Sequence, residues 1–402
     1  MAGLRKPILR SIDMRSRANR RRFLLFQHKL YAGDPLWVPP GFAEHMRRID
    51  PARGEFFTHA EVEFYWVEDG GRILGTICAA EDRFKNEESG LADCVFGFME
   101  LIDDRQVFDL LISAAEDFAR RKGLYRLIGP FDLDYENSYG IAVEGTDRLP
   151  VMLCSHNKAY YRGMLEEAGF TPARGRNLAF ELPLGGDNPE MNKLFRLGDC
   201  LAARGEIRVR GANFADFDGE VERVYYLINK SLAHLDDFKP WNRKDLEKLL
   251  RDFKSFADPE LILFAELPAG SPLSRNLDDQ PLVGGWEPVG FLPGLPNMNE
   301  LLVHSGGLRF PWQWLRLLAG MSSRRECMTI KSVLIPPEYW AKGVSVRLFS
   351  ELFRKAIDAK YRWIDLSLTN ERNPYTPDLA TRMGARIYRA YQIYARQLDK
   401  PE

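Results

Sequence analysis

The chain has 402 residues, 45% hydrophobic and 28% charged, a composition that excludes a disordered or fibrous class. Single cores stop growing at roughly 250–300 residues, so two are expected. Lys and Arg total 56 against 57 for Asp and Glu, and the formal net charge of -1 offers no surface for a nucleic-acid partner.

In chain order, Arg5, Lys6, Arg10, Arg15, Arg17, Arg20, Arg21 and Arg22 make a basic N-terminal arm, suited to a solvated flank or to anionic headgroups. Residues 20–31 read as an amphipathic helix, stopped at Gly33-Asp34-Pro35 and Pro39-Pro40. Strands follow at 61–68, 72–81 and 92–101, the first two joined by the hairpin signal Asp69-Gly70-Gly71. Apolar residues at Val107, Leu110, Leu111, Ala114, Ala115 and Phe118 predict a helix over 104–122, ended by Gly123. Strands at 125–131 and 151–154, a helix at 158–168 and a strand at 177–182 complete a first half.

Residues 183–189, with Gly185-Gly186, read as a linker. Beyond it lie helices at 191–204 and 218–235, strands at 261–267, 289–292 and 329–335, a helix at 344–360, a strand at 363–368, a helix through 379–383 and a strand at 387–396. The order repeats, and both halves close on a helix, a glycine and a strand (Gly169, Gly384), which predicts a duplication with domains at 1–186 and 187–402. The fold class expected is α/β (α+β), two tandem domains, each a mixed, mostly antiparallel sheet flanked by helices.

The five cysteines, Cys78, Cys94, Cys154, Cys200 and Cys327, are scattered without CxxC spacing, and the six histidines show no ligand spacing. No metal site is expected, and a reducing, cytoplasmic setting is. No run approaches the roughly 18 apolar residues of a membrane span, and the charged N-terminus has no signal-peptide core.

Chemistry concentrates at 331–352, where a β-branched strand enters a Gly-containing loop that opens into an amphipathic helix. Unpaired backbone N–H groups and the positive end of a helix dipole then meet at one point, as a pyrophosphate requires. The segment resembles the loop of the GNAT superfamily of acyl-CoA transferases, (Gln or Arg)-x-x-Gly-x-(Gly or Ala), with Trp340, Gly343 and Ser345 at its three positions. Gly343 matches; Trp340 and Ser345 depart. The resemblance implies two tandem GNAT-like domains, acyl-CoA as co-substrate, and a cofactor site of Val333, Leu334, Ile335, Trp340, Ala341, Lys342, Gly343, Val344 and Ser345. It assigns Asn373, past the fifth strand of the second half, to the pantetheine; the usual tyrosine acid falls on Ala380 and is missing.

An amine brought within about 3.5 Å of a thioester carbonyl needs only a proton acceptor and a polarising donor. Glu300, after the third strand of the second half, is the candidate base, and the backbone of 333–335 the candidate donor. In the first half Glu100-Leu-Ile-Asp-Asp-Arg-Gln106 replaces any Gly-rich loop, so that half is expected to bind the acceptor, with Glu136, Asn137, His156 and Tyr160 as candidates. Residues 308–321, with Phe310, Trp312 and Trp314 and basic flanks, read as an interfacial helix, an acyl-groove wall or a helix packed between the halves.

Over nearly its whole length the chain resembles a bacterial family of tandem GNAT-like proteins, through Tyr31-Ala-Gly-Asp-Pro-Leu-Trp-Val-Pro-Pro40, Gly129-Pro-Phe131 and Tyr160-Tyr161. Some members of that family resemble bacterial ceramide synthase N-acyltransferases, and the resemblance implies transfer of a long acyl chain to a sphingoid base or other lipid amine, with peripheral membrane contact. Acetyl transfer to a small polar amine and non-catalytic acyl-CoA or lipid binding are the alternatives.

Overall fold

The computed structural model describes residues 6–399 apart from 134–138, 235–239, 276, 278, 322, 374 and 375. The first half runs β1 (Ile8–Ile12), α1 (Arg17–Leu30), α2 (Phe42–Arg48), β2 (Ala60–Asp69), β3 (Arg72–Asp82), α3 (Arg83–Ser89), β4 (Asp93–Leu101), α4 (Arg105–Arg121), β5 (Arg126–Phe131), β6 (Ile141–Glu144), α5 (Tyr160–Glu167) and β7 (Thr171–Pro183). The second runs α6 (Pro189–Arg204), β8 (Arg208–Gly211), α7 (Phe217–Leu232), α8 (Arg243–Lys254), β9 (Ile262–Pro268), β10 (Trp286–Pro296), α9 (Asn299–Leu302), α10 (Pro311–Gly320), β11 (Cys327–Ile330), α11 (Val344–Asp358), β12 (Trp363–Asn370), α12 (Thr376–Arg382) and β13 (Arg386–Gln397).

The described strands join in one sheet, β1-β2-β3-β4-β5-β13-β7-β12-β11-β10-β9-β8, with β6 on β13. Each half contributes a meander ending in a parallel pair, β4 with β5 and β11 with β12. The closing strands are exchanged: β13, the last of the chain, pairs with β5 of the first half, and β7 of the first half pairs with β12 of the second. β7 and β13 also pair with each other, which welds the halves at their centre.

Side chains alternate across the sheet, so each half packs helices on both faces. Tyr65 and Val67 pack with α4 and α5, whereas Phe64 and Trp66 pack with Phe23 and Leu24 of α1. In the second half Leu263 and Ala265 join α11, and Phe264 joins α7 and α8. Helix α4 buries Val107, Phe108, Leu111, Ile112 and Phe118, each such side chain stabilising by about 1.5–3 kcal/mol, and Asp104 caps it by accepting the Val107 N–H. The β2–β3 hairpin turns on Gly70 and Gly71, both at positive φ, as a two-residue hairpin loop demands.

Several expectations are corrected. Residues 151–154 form a turn, not a strand, because they lie across the junction of the halves, where Asn297 Oδ1 accepts the Met152 N–H at 3.2 Å. The strand expected over 329–335 ends at Ile330, past which the chain leaves its parallel neighbour. The described part of the basic N-terminus is folded rather than free: β1 pairs with β2, Arg20 is buried 2.9 Å from Asp50, and Arg22 lies over the Trp66 ring at 4.6 Å. Strand β8 escaped prediction because its arginines are paired, Arg210 with Glu220 at 2.7 Å and with buried Glu266 at 2.8 Å.

Candidate active site

In the second half the parallel pair holds register only over Cys327↔Trp363, Met328↔Ile364 and Thr329↔Asp365, after which the strands part. Past this point the chain after β11 follows β10, bonding at Leu334↔Phe291, while β12 follows β7. Three residues lie between Ile330 and Leu334 but only two between Phe291 and Gly294, so a bulge sits at the parting. A cavity of about 360 Å³ adjoins the gap, lined by Val333, Ile335, Trp340, Ala341 and Ser345 and closed by α12.

Those five residues were expected to hold acyl-CoA. The other four lie beside them differently: Leu334 and Val344 are buried in the core, Lys342 is exposed, and Gly343 at φ 85 supplies the turn into α11. The Leu334 N–H is not a free donor, since it bonds the Phe291 carbonyl at 3.0 Å. Val333 and Ile335 flank that single bridge, and both line the cleft. Helix α11 begins without a side-chain cap, which leaves its first N–H groups and its dipole available to an anion. The equivalent α4 is closed by its own Asp104 carboxylate, preceded by Asp103, so the start of α4 presents no comparable anion site.

Ser332 and Leu334 face a second, apolar slot of about 110 Å³ between α7, α8 and the sheet, whose walls include Val224, Leu246, Phe253 and Phe264. Cleft and slot thus lie on opposite faces of one extended segment.

A third cavity, about 550 Å³, lies between the halves. Its walls carry Trp37, Val38, Pro39 and Pro40 of the Tyr-x-x-Asp-Pro element, Glu100 at the end of β4, and Asn299, Leu302 and Leu308 of the second half. His156 is on this wall, its Nε2 3.1 Å from Asp34 Oδ2, and burial lowers its pKa although Asp34 pulls the other way. Tyr160 is off the wall, its hydroxyl donating to the Leu101 carbonyl at 2.6 Å; Tyr161 takes the place on it. Glu136 and Asn137 lie outside the described residues. Unlike β11 and β12, strands β4 and β5 stay paired as far as Gly97↔Phe131, with a bulge between Val95 and Gly97, where an added Cβ would sit 1.5 Å from the Phe131 carbonyl.

Glu300 is elsewhere. Its two oxygens accept the backbone N–H groups of Glu326 at 2.8 Å and Cys327 at 2.9 Å, at the start of β11 and roughly 10 Å of strand from the gap. It fastens α9 to β11, and we do not assign it the base. Asn373 is exposed and its Oδ1 accepts the Thr376 N–H at 3.1 Å, which caps α12 beside the cleft. Sequence reasoning missed Glu100, a half-buried carboxylate held by the Tyr31 and Tyr161 hydroxyls at 2.9 and 2.7 Å; its partners come from two distant segments and leave no local signature. Among the described residues no group of three His, Cys, Asp or Glu side chains is arranged to hold a metal.

Helix α10 has no buried residue; Trp312, Leu315 and Leu318 are 60%, 67% and 63% exposed. It is therefore not packed between the halves. The loop that leads into it supplies Gly307 and Leu308 to the wall of the large cavity. No described helix is long and apolar enough to cross a membrane.

No family model matches the chain. It is 27% identical over 397 residues to a bacterial ceramide synthase of Caulobacter vibrioides, covering 96% of this chain and 97% of that protein. It is 26% identical over 409 residues to protein YghO of Escherichia coli, covering 98% and 96%. Among solved structures, a tandem GNAT protein from the clavulanic acid biosynthesis pathway superposes with a TM-score of 0.51 at 10% identity, over 99% of this chain and 100% of that one. The fold is that of a tandem GNAT protein.

Proposed function

We propose that this chain is an acyl-CoA-dependent N-acyltransferase that transfers a long acyl chain to a lipid-borne amine such as a sphingoid base. The observation that carries it is the uncapped start of α11 opening on a cleft between parted strands, where a pyrophosphate is held by backbone N–H groups and a pantetheine amide pairs with the exposed strand edge. Val333 and Ile335 N–H groups polarise the thioester oxygen, and Asn373 braces the helix beside the pantetheine. The acceptor enters from the cavity between the halves. The neutral amine nitrogen bonds to the thioester carbon, the C–S bond breaks, and the proton lost from the nitrogen ends on the departing sulfur, giving an amide and CoA thiol.

Chain length is read by the apolar slot, which no acetyl group needs and in which each buried methylene stabilises by about 0.8 kcal/mol. The similarity to bacterial ceramide synthase, whose product is an N-acylated sphingoid base, supports the lipid acceptor. The exposed aromatic and leucine face of α10, beside the cavity wall, supports work at a membrane surface.

Calorimetric titration with acetyl-CoA and palmitoyl-CoA, then thiol release in the presence of sphinganine, tests the proposal. Tight palmitoyl-CoA binding and sphinganine-dependent thiol release are expected. Preference for acetyl-CoA would move the reading to a small-acyl transferase, and binding without release to a non-catalytic carrier.

A further inference from the structure

Glu100 ends β4 with its carboxylate on the wall of the cavity between the halves. Oε2 receives both tyrosine hydroxyls, whereas Oε1 has one long contact, from Gln27 Nε2 at 3.4 Å. Tyr31 and Tyr161 are 1% and 2% exposed, and the Tyr161 oxygen accepts the Leu101 N–H at 3.0 Å, so the core fixes these donors. No lysine, arginine or histidine among the described residues forms an ion pair with Glu100. Of the cations around the cavity, Lys158 is turned to Asp34 at 3.2 Å and Arg48 donates to the Asp132 carbonyl. A half-buried carboxylate lacking a counter-charge is only partly hydrated, and a cation that meets it offsets that loss. The cavity leaves room for one, and Trp37, Phe98, Leu302 and Leu308 give that cation an apolar environment for the rest of its body.

We propose that the Glu100 carboxylate, cradled by Tyr31 and Tyr161, binds through Oε1 the ammonium group of a primary amine carried on an apolar chain. The assignment rests on the N-acyltransferase reading and names where its acceptor docks as an ammonium, before the nitrogen gives up a proton and moves to the thioester cleft on the other side of β5, β13 and β7. Burial pushes the carboxyl up to about 8, so it holds a proton at neutral pH when the cavity is empty. The ionisable groups that face it are Tyr31 from α1, Tyr160 and Tyr161 from α5, Lys158 ahead of α5 and Asp132 beyond β5. An arriving ammonium replaces that proton as the counter-charge, and amine binding releases it to solvent.

The test is calorimetric titration of the full chain with dodecylamine and with dodecan-1-ol, near neutral pH, in two buffers of different ionisation enthalpy. Wild type is expected to prefer the amine by at least about tenfold and to release close to one proton per amine bound. Glu100→Gln is expected to lose both the preference and the proton release while binding palmitoyl-CoA as wild type does. Equal affinity of wild type for amine and alcohol, or a Glu100→Gln protein that keeps the preference, overturns the assignment. Should that variant fail to fold by circular dichroism, Glu100→Asp, which withdraws the carboxylate by one methylene, replaces it with the same expected loss. Palmitoyl-CoA titration of wild type separates the two ideas: intact thioester binding without amine preference removes only Glu100, whereas absent thioester binding removes the transferase reading.

Discussion

Lys331 Nζ lies 3.4 Å from Asp365 Oδ2 at the point where β11 and β12 part. Asp365 is fully buried and also accepts the Thr329 hydroxyl at 2.7 Å and the Tyr388 hydroxyl at 3.0 Å. Burial draws the Lys331 ammonium down, and Asp365 more than restores it, so the lysine is held above its ordinary value. Lys331→Met strands a buried carboxylate and is expected to cost about 3–5 kcal/mol in urea unfolding. Adding Asp365→Leu should return much of that loss. A single variant that loses less than about 1 kcal/mol would make the pair no stronger than a surface contact.

Ser345 stands in the first turn of α11, two residues past Gly343, and lines the cleft. Substituting Gly343 itself confounds binding with folding, because φ is +85° and an added Cβ would lie 2.8 Å from Leu201 Cδ1. Ser345→Glu avoids this. Its carboxylate favours the helix dipole by about 0.3–1 kcal/mol while occupying the anion site. The melting temperature should hold or rise, and affinity for both acetyl-CoA and palmitoyl-CoA should fall by about tenfold or more. Unchanged affinity would remove α11 from the cofactor site.

His45 is held at a pKa of about 4, first by burial and then by the Arg48 guanidinium. A folded pKa below the ordinary 6.5 means that the unfolded chain binds the proton first, so this stability is present above pH 6.5 and is lost as pH falls toward 4. Glu100, raised to about 8, acts in the opposite sense, its contribution shrinking as pH rises through that value. The useful comparison is therefore between variants. Chemical denaturation across this range should show the stability advantage of wild type over His45→Gln shrinking as the solution is acidified, and a constant difference would contradict the burial.

On α10, Trp312→Ser, Leu315→Ser and Leu318→Ser together remove most of the exposed apolar face. Surface changes of this kind move stability by about 0.5 kcal/mol or less each, so the melting temperature should barely shift. Co-sedimentation with anionic phospholipid vesicles should fall several-fold, together with activity on vesicle-borne sphinganine. Undiminished vesicle binding would assign membrane contact to another surface.

What could be seen in the sequence were features carried by neighbours along the chain. The apolar spacing of α4, the turn at Gly70-Gly71 and the loop into α11 are all local, and each lies where expected. What could not be seen depended on distant partners. Residues 151–154 read as a strand from their apolar composition, but only Val151 is buried, Leu153 is 70% exposed, and the segment pairs with no described strand. Glu300 had the right position in chain order but is taken up by two backbone N–H groups, and Glu100 is distinguished only by tyrosines from α1 and α5. The destination of β13 was equally hidden, since its alternation suits either half.

That destination bears on how the protein is made. β13 leaves the ribosome about 255 residues after β5, roughly 13–50 s later at ordinary elongation rates of about 5–20 residues per second. Throughout that interval the first half keeps an unpaired edge along Arg126–Phe131, the kind of edge that recruits strands from other chains. The halves mature together at the end of synthesis, and a chain that stalls before Arg386 is left adhesive rather than half finished.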